Sequence, residues 1–182
     1  MGTESVTLRA VIPASADRVY AAWLDAKEHS KMTGGPATVD AQVGGDHSAW
    51  DGYISGTILE LEPSRRIVQS WRSTDFPLGH SDSRLEVHLR DVDGGCDVTI
   101  VHTEIPAGQG AQYEQGWRDH YFEPMARYFG QTAARKRPPA KTRRKKAPAK
   151  KAKRASAAKK SATRAKKSAK KTGKKGKRGK RR

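Results

Sequence analysis

The 182-residue chain is 35% hydrophobic and has one cysteine and a formal net charge of +18. A lone cysteine rules out an internal disulfide and points to a reducing, cytoplasmic compartment. No stretch approaches the roughly 20 apolar residues that span a bilayer, and the first ten residues carry Glu4 and Arg9, so neither membrane insertion nor export is expected.

The elements alternate clearly along the first 132 residues, which hold every Trp, Phe, Tyr, Ile, Leu and Met. Glu4 to Ile12 reads as a strand stopped by Pro13, and Ser15 is placed to cap a helix from Ala16 to about Leu24 with Val19, Ala22 and Trp23 on one face. A second short helix is predicted over Ala26 to Met32. Strands follow over Ala37 to Ala41, Asp46 to Trp50, Tyr53 to Leu61, Arg66 to Arg72, Ser83 to Val92 and Cys96 to Ile105. Gly44-Gly45 marks a turn, and Asp93-Gly94-Gly95 suits a hairpin between the last two strands. After Pro106 the period becomes helical, with Tyr113, Trp117, Tyr121, Met125 and Tyr128 or Phe129 three or four residues apart. A strand, two small helices, a run of antiparallel strands and one long closing helix make an α+β plan, a curved sheet around the last helix.

Several linked motifs carry a resemblance over about Val6 to Gly130. They are Gly44-Gly45, Asp51-Gly52-Tyr53-Ile54-Ser55-Gly56, Leu61-Glu62-Pro63, Ile67-Val68-Gln69-Ser70-Trp71-Arg72, Phe76-Pro77-Leu78-Gly79-His80, Ile105-Pro106-Ala107 and Gln115-Gly116-Trp117-Arg118-Asp119-His120-Tyr121-Phe122-Glu123. In order and spacing this stretch resembles the C-terminal domain of the activator of heat-shock protein 90 ATPase. The resemblance implies the helix-grip (START-like) fold, shared with lipid-transfer domains and aromatic polyketide cyclases. It also implies a chaperone as one candidate partner and a small hydrophobic ligand as another. The eukaryotic activators add a separate N-terminal domain that contacts the chaperone, and no counterpart is expected in this sequence.

Period two assigns Leu85, Val87 and Leu89, then Val98, Ile100, His102 and Glu104, then Ile67 and Trp71, to the inner face of the sheet. With the family's habit, this makes Trp23, Trp50, Trp71, Leu85, Val87, His102, Glu104, Trp117 and Tyr121 the candidate lining of a ligand cavity. Two readings stay open for His102 and Glu104: an acid/base or ligand-orienting pair, or a buried histidine satisfied by a neighbouring backbone or hydroxyl. No catalytic residue is assigned and the domain is read as non-enzymatic. His and Cys spacings match no metal site, no phosphate-binding glycine loop is present and no cofactor is implied. Cys96 reads as a small strand residue.

The charge belongs to one end. Ala133 to Arg182 contains 26 of the 37 Lys and Arg residues and no Asp or Glu, leaving residues 1–132 with 11 basic against 19 acidic side chains. This second segment lacks aromatic and branched aliphatic residues, so it should be disordered alone. It resembles the C-terminal domain of linker histones and the basic tails of some bacterial DNA-binding proteins. The expected phosphate contacts are Lys141, Arg143, Arg144, Lys145, Lys146, Lys150, Lys151, Lys159, Lys160, Lys166, Lys167, Lys170 and Lys171. Without a zinc-finger spacing, a recognition helix or stacking aromatics, such binding has no means of reading bases. Three functions remain open: a binding domain tethered to nucleic acid or another polyanion, in the cytoplasm or on the nucleoid; a co-chaperone; and a hydrophobic-ligand carrier or cyclase-like enzyme.

Overall fold

A computed structural model describes residues 2–136, with side chains through residue 131. The Lys/Arg-rich segment from residue 137 onward, with the nucleic-acid contacts and the disorder expected of it, lies outside the described residues.

Strand β1 (Thr3–Ile12) leads into helices α1 (Ala16–Leu24) and α2 (Ala26–Thr33). Six strands follow: β2 (Ala37–Val39), β3 (Asp46–Ala49), β4 (Ile54–Glu62), β5 (Arg66–Ser73), β6 (Ser83–Val92) and β7 (Gly95–Pro106). The chain closes with α3 (Gly110–Trp117), a π-helical turn over Arg118–Phe122 and α4 (Glu123–Lys136). All strands join one antiparallel sheet in the order β1-β7-β6-β5-β4-β3-β2. A meander from β2 to β7 is thus completed by the N-terminal strand, which pairs with β7. This is the helix-grip plan that the motifs imply.

Local chemistry explains the boundaries. Ser15 Oγ accepts from Arg18 N at 3.3 Å and Asp25 Oδ1 from Glu28 N at 2.8 Å, so each short helix starts on a side-chain cap. Gly34 ends α2 in the left-handed region at φ 83°. Val92 pairs with Gly95 across a two-residue turn, with Gly94 at φ 89°, as the Asp-Gly-Gly signal predicts. The Glu4 carboxylate, far away in sequence, accepts from the backbone N–H of Gly108 at 2.8 Å and of Gly110 at 2.7 Å. It ties β1 to the start of α3, and those two bonds hold its pKa below the usual glutamate value.

The inner face of the sheet carries Leu8 and Ile12, Ile67 and Trp71, Leu85, Val87 and Leu89, and Val98 and Ile100, all buried. Val19, Ala22, Trp23 and Met32 cover it from α1 and α2, and Tyr113, Trp117, Tyr121, Met125 and Phe129 from the closing helix. Those five residues of the closing helix step by four. On an α-helix of 3.6 residues per turn such a stripe drifts by about 40° per step. The π turn, in which Glu123 N–H bonds to Arg118 O, takes up the extra residue and keeps Trp117, Tyr121 and Met125 on the sheet.

Two expectations are corrected. Trp50 does not continue β3: the strand stops at Ala49, and Trp50, Asp51 and Gly52 follow at φ 50°, 53° and 86° as a left-handed turn. Glu104 does not face inward. Between the pairs Glu4↔Ile105 and Val6↔His102, β1 uses one residue where β7 uses two, a bulge that puts Glu104 at φ 61° and turns its side chain to solvent.

Candidate functional site

Between the β3–β5 end of the sheet and the closing helix lies an open cleft of about 630 Å3. Six rings line it: Trp50 and Tyr53 from the β3–β4 turn, Trp71 from β5, and Tyr113, Trp117 and Tyr121 from the closing helix. Trp71 meets Tyr113 edge to face at 5.0 Å and 76°, as Trp50 meets Tyr121 at 5.5 Å and 73°, whereas Trp117 lies tilted against both Trp71 and Tyr121 at 48° and 50°. Trp50 is held there at a cost. Its left-handed φ is uncommon for a bulky residue and is worth about 1–3 kcal/mol of strain. Behind it, a Cβ on Gly35 would come within 2.3 Å of the indole, so only glycine fits beneath the ring.

The polar groups of the cleft stand at its rim. Tyr53 OH donates to Asp75 Oδ2 at 2.6 Å, and Gln112 Nε2 donates to the same oxygen at 3.2 Å. Burial, and then Asp75, push the Tyr53 phenol up to about 12. Tyr113 OH lies 2.7 Å from Ser73 Oγ and donates to Gln109 Oε1 at 3.0 Å, which joins β5 to the first turn of α3. Asp119 and His120, on the π turn, complete the mouth, and among the described residues no Lys or Arg lines the cleft.

His102 is not part of this surface. Trp117 Nε1 can only donate, so His102 Nδ1 accepts its proton at 3.2 Å and His102 Nε2–H donates to Ser83 Oγ at 2.7 Å. Ser83 in turn donates to Trp71 O at 2.7 Å. The ring is fully buried, and burial drives its pKa down to about 3, which keeps it neutral. Glu104 is on the opposite side of the bulge, so the two do not form an acid/base pair; His102 is a satisfied core histidine that locks the positions of Trp71 and Trp117.

The other candidates sort by position. Trp50, Trp71, Trp117 and Tyr121 line the cleft. Trp23 and Leu85 instead border a small second pocket of about 10 Å3, enough for about one water, which Trp71 and Tyr121 also line. Trp23 stacks on Tyr121 at 5.2 Å and donates to Gln69 Oε1 at 3.1 Å. Val87 is buried in the core and borders neither space, because α1 packs against β6 and β7 and fills that end of the sheet. His29 Nδ1–H donates to Trp23 O at 2.8 Å and His47 Nε2–H to Ser70 O at 3.0 Å; both rings border the small pocket, and burial lowers both pKa values. Cys96 is buried and its thiol pKa is raised by desolvation, which suits packing rather than attack. Among the described residues no three His, Cys, Asp or Glu side chains gather as a metal site, and no helix is long and apolar enough to cross a membrane.

Sequence reading missed Tyr53, Ile54, Gln112, Tyr113, Gln115, Gly116, Asp119 and His120 as lining residues. Gly116 is the informative one: a Cβ placed there meets nothing within 4 Å, since it opens on the cleft. Gly116→Ala is therefore expected to stabilise the fold by about 0.5–1 kcal/mol, the helix preference of alanine over glycine, as read by urea denaturation.

An antiparallel sheet gripping a C-terminal helix, with an aromatic cleft between them, defines a START-like helix-grip domain. The chain belongs to the family described as Activator of Hsp90 ATPase homolog 1-like protein, whose profile matches residues 13–130. Human Activator of 90 kDa heat shock protein ATPase homolog 1 is 30% identical over 128 residues, which is 70% of this chain and 38% of that protein. The mouse protein of the same name is 28% identical over the same share of each chain. The chain thus spans less than two fifths of the length of these curated relatives. Among solved structures, an HSP90 activator from Plasmodium falciparum superposes with a TM-score of 0.61 at 23% identity, over 70% of this chain and 96% of that one. A protein from Chromobacterium violaceum gives 0.57 at 27% identity, over 69% and 96%.

Proposed function

We propose that this chain is a non-enzymatic binding protein in two parts: a helix-grip domain that holds a small apolar ligand in its cleft, and a C-terminal Lys/Arg-rich segment that holds the domain on nucleic acid. The open, ring-lined cleft carries the first half of this reading, since a volume of about 630 Å3 lies within the range of small-molecule sites. The second half rests on sequence. Twenty-six cations without one Asp or Glu in the last 50 residues make a polyanion binder whose affinity comes from counterion release. Such a segment would place the domain on the nucleoid or another nucleic-acid-rich body without base specificity.

The test compares the full chain with a chain ending at residue 136 on a random-sequence DNA duplex across a salt series. Log K should fall with log salt at about −0.9 per phosphate contact for the full chain, and the shortened chain should not bind. Absence of binding by the full chain at physiological salt refutes the tether.

A second reading is favoured by family membership: the relatives named above are activators of a chaperone ATPase, and this domain corresponds to part of their length. In that reading the β4–β5 surface docks a chaperone and the basic segment adds an electrostatic contact. Stimulation of an Hsp90 ATPase by the full chain, saturable and lost at high salt, supports it; no stimulation removes it.

A further inference from the structure

We propose that the cleft takes a compact organic cation, a quaternary ammonium group on an apolar body, held by the surrounding rings and by the Asp119 carboxylate. This rests on the reading of the cleft as a ligand site.

Three observations carry it. The first is the way the rings are set. Trp71 crosses Tyr113 at 76° and Trp50 crosses Tyr121 at 73°, while Trp117 is inclined at 48° to Trp71 and at 50° to Tyr121. None of these neighbours are parallel, so a flat molecule lies on one ring only, whereas a rounded group touches several at once. The second is Trp50. A Cβ on Gly35 would lie 2.3 Å from both Cδ1 and Nε1 of the indole and 2.9 Å from Cγ, a position over the ring plane and not at its rim. One face of the indole therefore rests on Gly35, and the opposite face is left to the cleft that it lines. An aromatic face is the negative side of the ring, and tryptophan attracts a cation more strongly than tyrosine or phenylalanine does. The third is a pair of carboxylates. Asp119 lines the cleft and accepts from Gln115 Nε2 through Oδ1 at 2.8 Å, which leaves Oδ2 without a partner among the described residues. Asp75 accepts from Tyr53 OH at 2.6 Å, and a phenol that donates to a carboxylate gains electron density on its ring. A quaternary ammonium suits these surroundings because its charge is covered by methyl groups and it has no N–H to satisfy. A primary ammonium would leave donors unpaired among the rings.

The test uses the full chain and equilibrium dialysis at pH 8 with three probes: benzyltrimethylammonium; neopentylbenzene, the same shape with carbon in place of the charged nitrogen; and benzylammonium, charged but with three N–H donors. Benzyltrimethylammonium is expected to bind more tightly than either, and about threefold or more above benzylammonium. Asp119→Asn should weaken benzyltrimethylammonium by about 2- to 5-fold, the worth of an exposed charge contact, and leave neopentylbenzene unchanged. Trp50→Leu, shown to be folded by near-UV circular dichroism, should weaken the quaternary cation about 2- to 5-fold more than it weakens neopentylbenzene. Gly116→Leu, which grows into the cleft from a position with no neighbour, should weaken every probe that binds by about tenfold or more. Tighter binding of neopentylbenzene by the wild-type chain overturns the preference for a cation and leaves the cleft as a site for rounded neutral molecules. A cation affinity that Asp119→Asn and Trp50→Leu both leave intact overturns the roles of these residues; should Trp50→Leu not fold, Asp119→Asn decides. Binding that survives Gly116→Leu, or no binding of any probe, overturns the cleft reading itself.

Discussion

Lowering the pH from 8 to 5 is expected to remove about 2 kcal/mol of folding stability through His102 alone. The native imidazole has its pKa depressed to about 3 by burial, while in the unfolded chain it titrates near the ordinary value of about 6.5. Across the window between those values the unfolded state takes up a proton that the native state refuses, so stability is complete above about pH 6.5 and falls as the pH drops toward 3. His29 and His47 are shifted in the same direction by the same cause and add to the loss. The bonds forbid an easy escape, because His102 Nδ1 is already the acceptor for Trp117 and a second proton there would break that bond. Urea midpoints measured from pH 8 to pH 5 test this above the range in which ordinary carboxylates titrate. His102→Gln should be less stable at pH 8 and have a visibly shallower slope against pH. A wild-type midpoint flat over this range would mean that these rings are not held neutral in the core.

Replacing Trp117 by alanine is expected to cost about 3–5 kcal/mol, the usual loss for a large aromatic removed from a packed interior. The residue is 3% exposed, tilts against Tyr121 at 4.6 Å and Trp71 at 6.0 Å, and is the donor that satisfies His102. The conservative change Trp117→Phe separates packing from hydrogen bonding. It keeps a ring against Trp71 and Tyr121 but strands the buried Nδ1, and should cost about 1–3 kcal/mol. Combining it with His102→Leu removes both partners, so the double variant should be less destabilised than the two single losses predict when added. Simple additivity in denaturant titrations would show that the Trp117–His102 bond contributes nothing to stability.

The contrast between Trp117 and Gly116 shows how the closing helix divides its work. One position buries a ring against the sheet and the next leaves space over it. The π turn that follows then brings Asp119 and His120 to the mouth of the cleft while Tyr121 stays inside. Strain at Trp50 and the bare backbone of Gly35 belong to the same construction, since both serve to hold one indole against His120 and Tyr121.

Much of the architecture was legible in the sequence because it depends on local rules. The cap at Ser15, the Asp-Gly-Gly turn, alternation along β6 and the aromatic stripe of the closing helix each report a backbone preference or a one-sided burial that neighbouring residues impose. The separation of an acidic first part from a basic last part was likewise fixed by composition. What alternation could not reveal is where it breaks. The bulge opposite Ser5 reversed the face of Glu104, and the left-handed turn took Trp50 off its strand, because register depends on how β7 meets β1 and β3 meets β4 rather than on either segment alone. The five-membered stripe at intervals of four did contain the signal for the π turn, as an uninterrupted α-helix would have carried its ends around to different faces. Which rings line an open cleft, and which are merely core, was decided only in three dimensions. Trp23 and Trp71 are alike in sequence terms, yet packing gives the first an acceptor in Gln69 and leaves the second with a buried donor that no described residue accepts. Hydrophobic pattern selects which side chains leave water, but the partner of each buried polar atom is set by contacts between elements far apart in the chain.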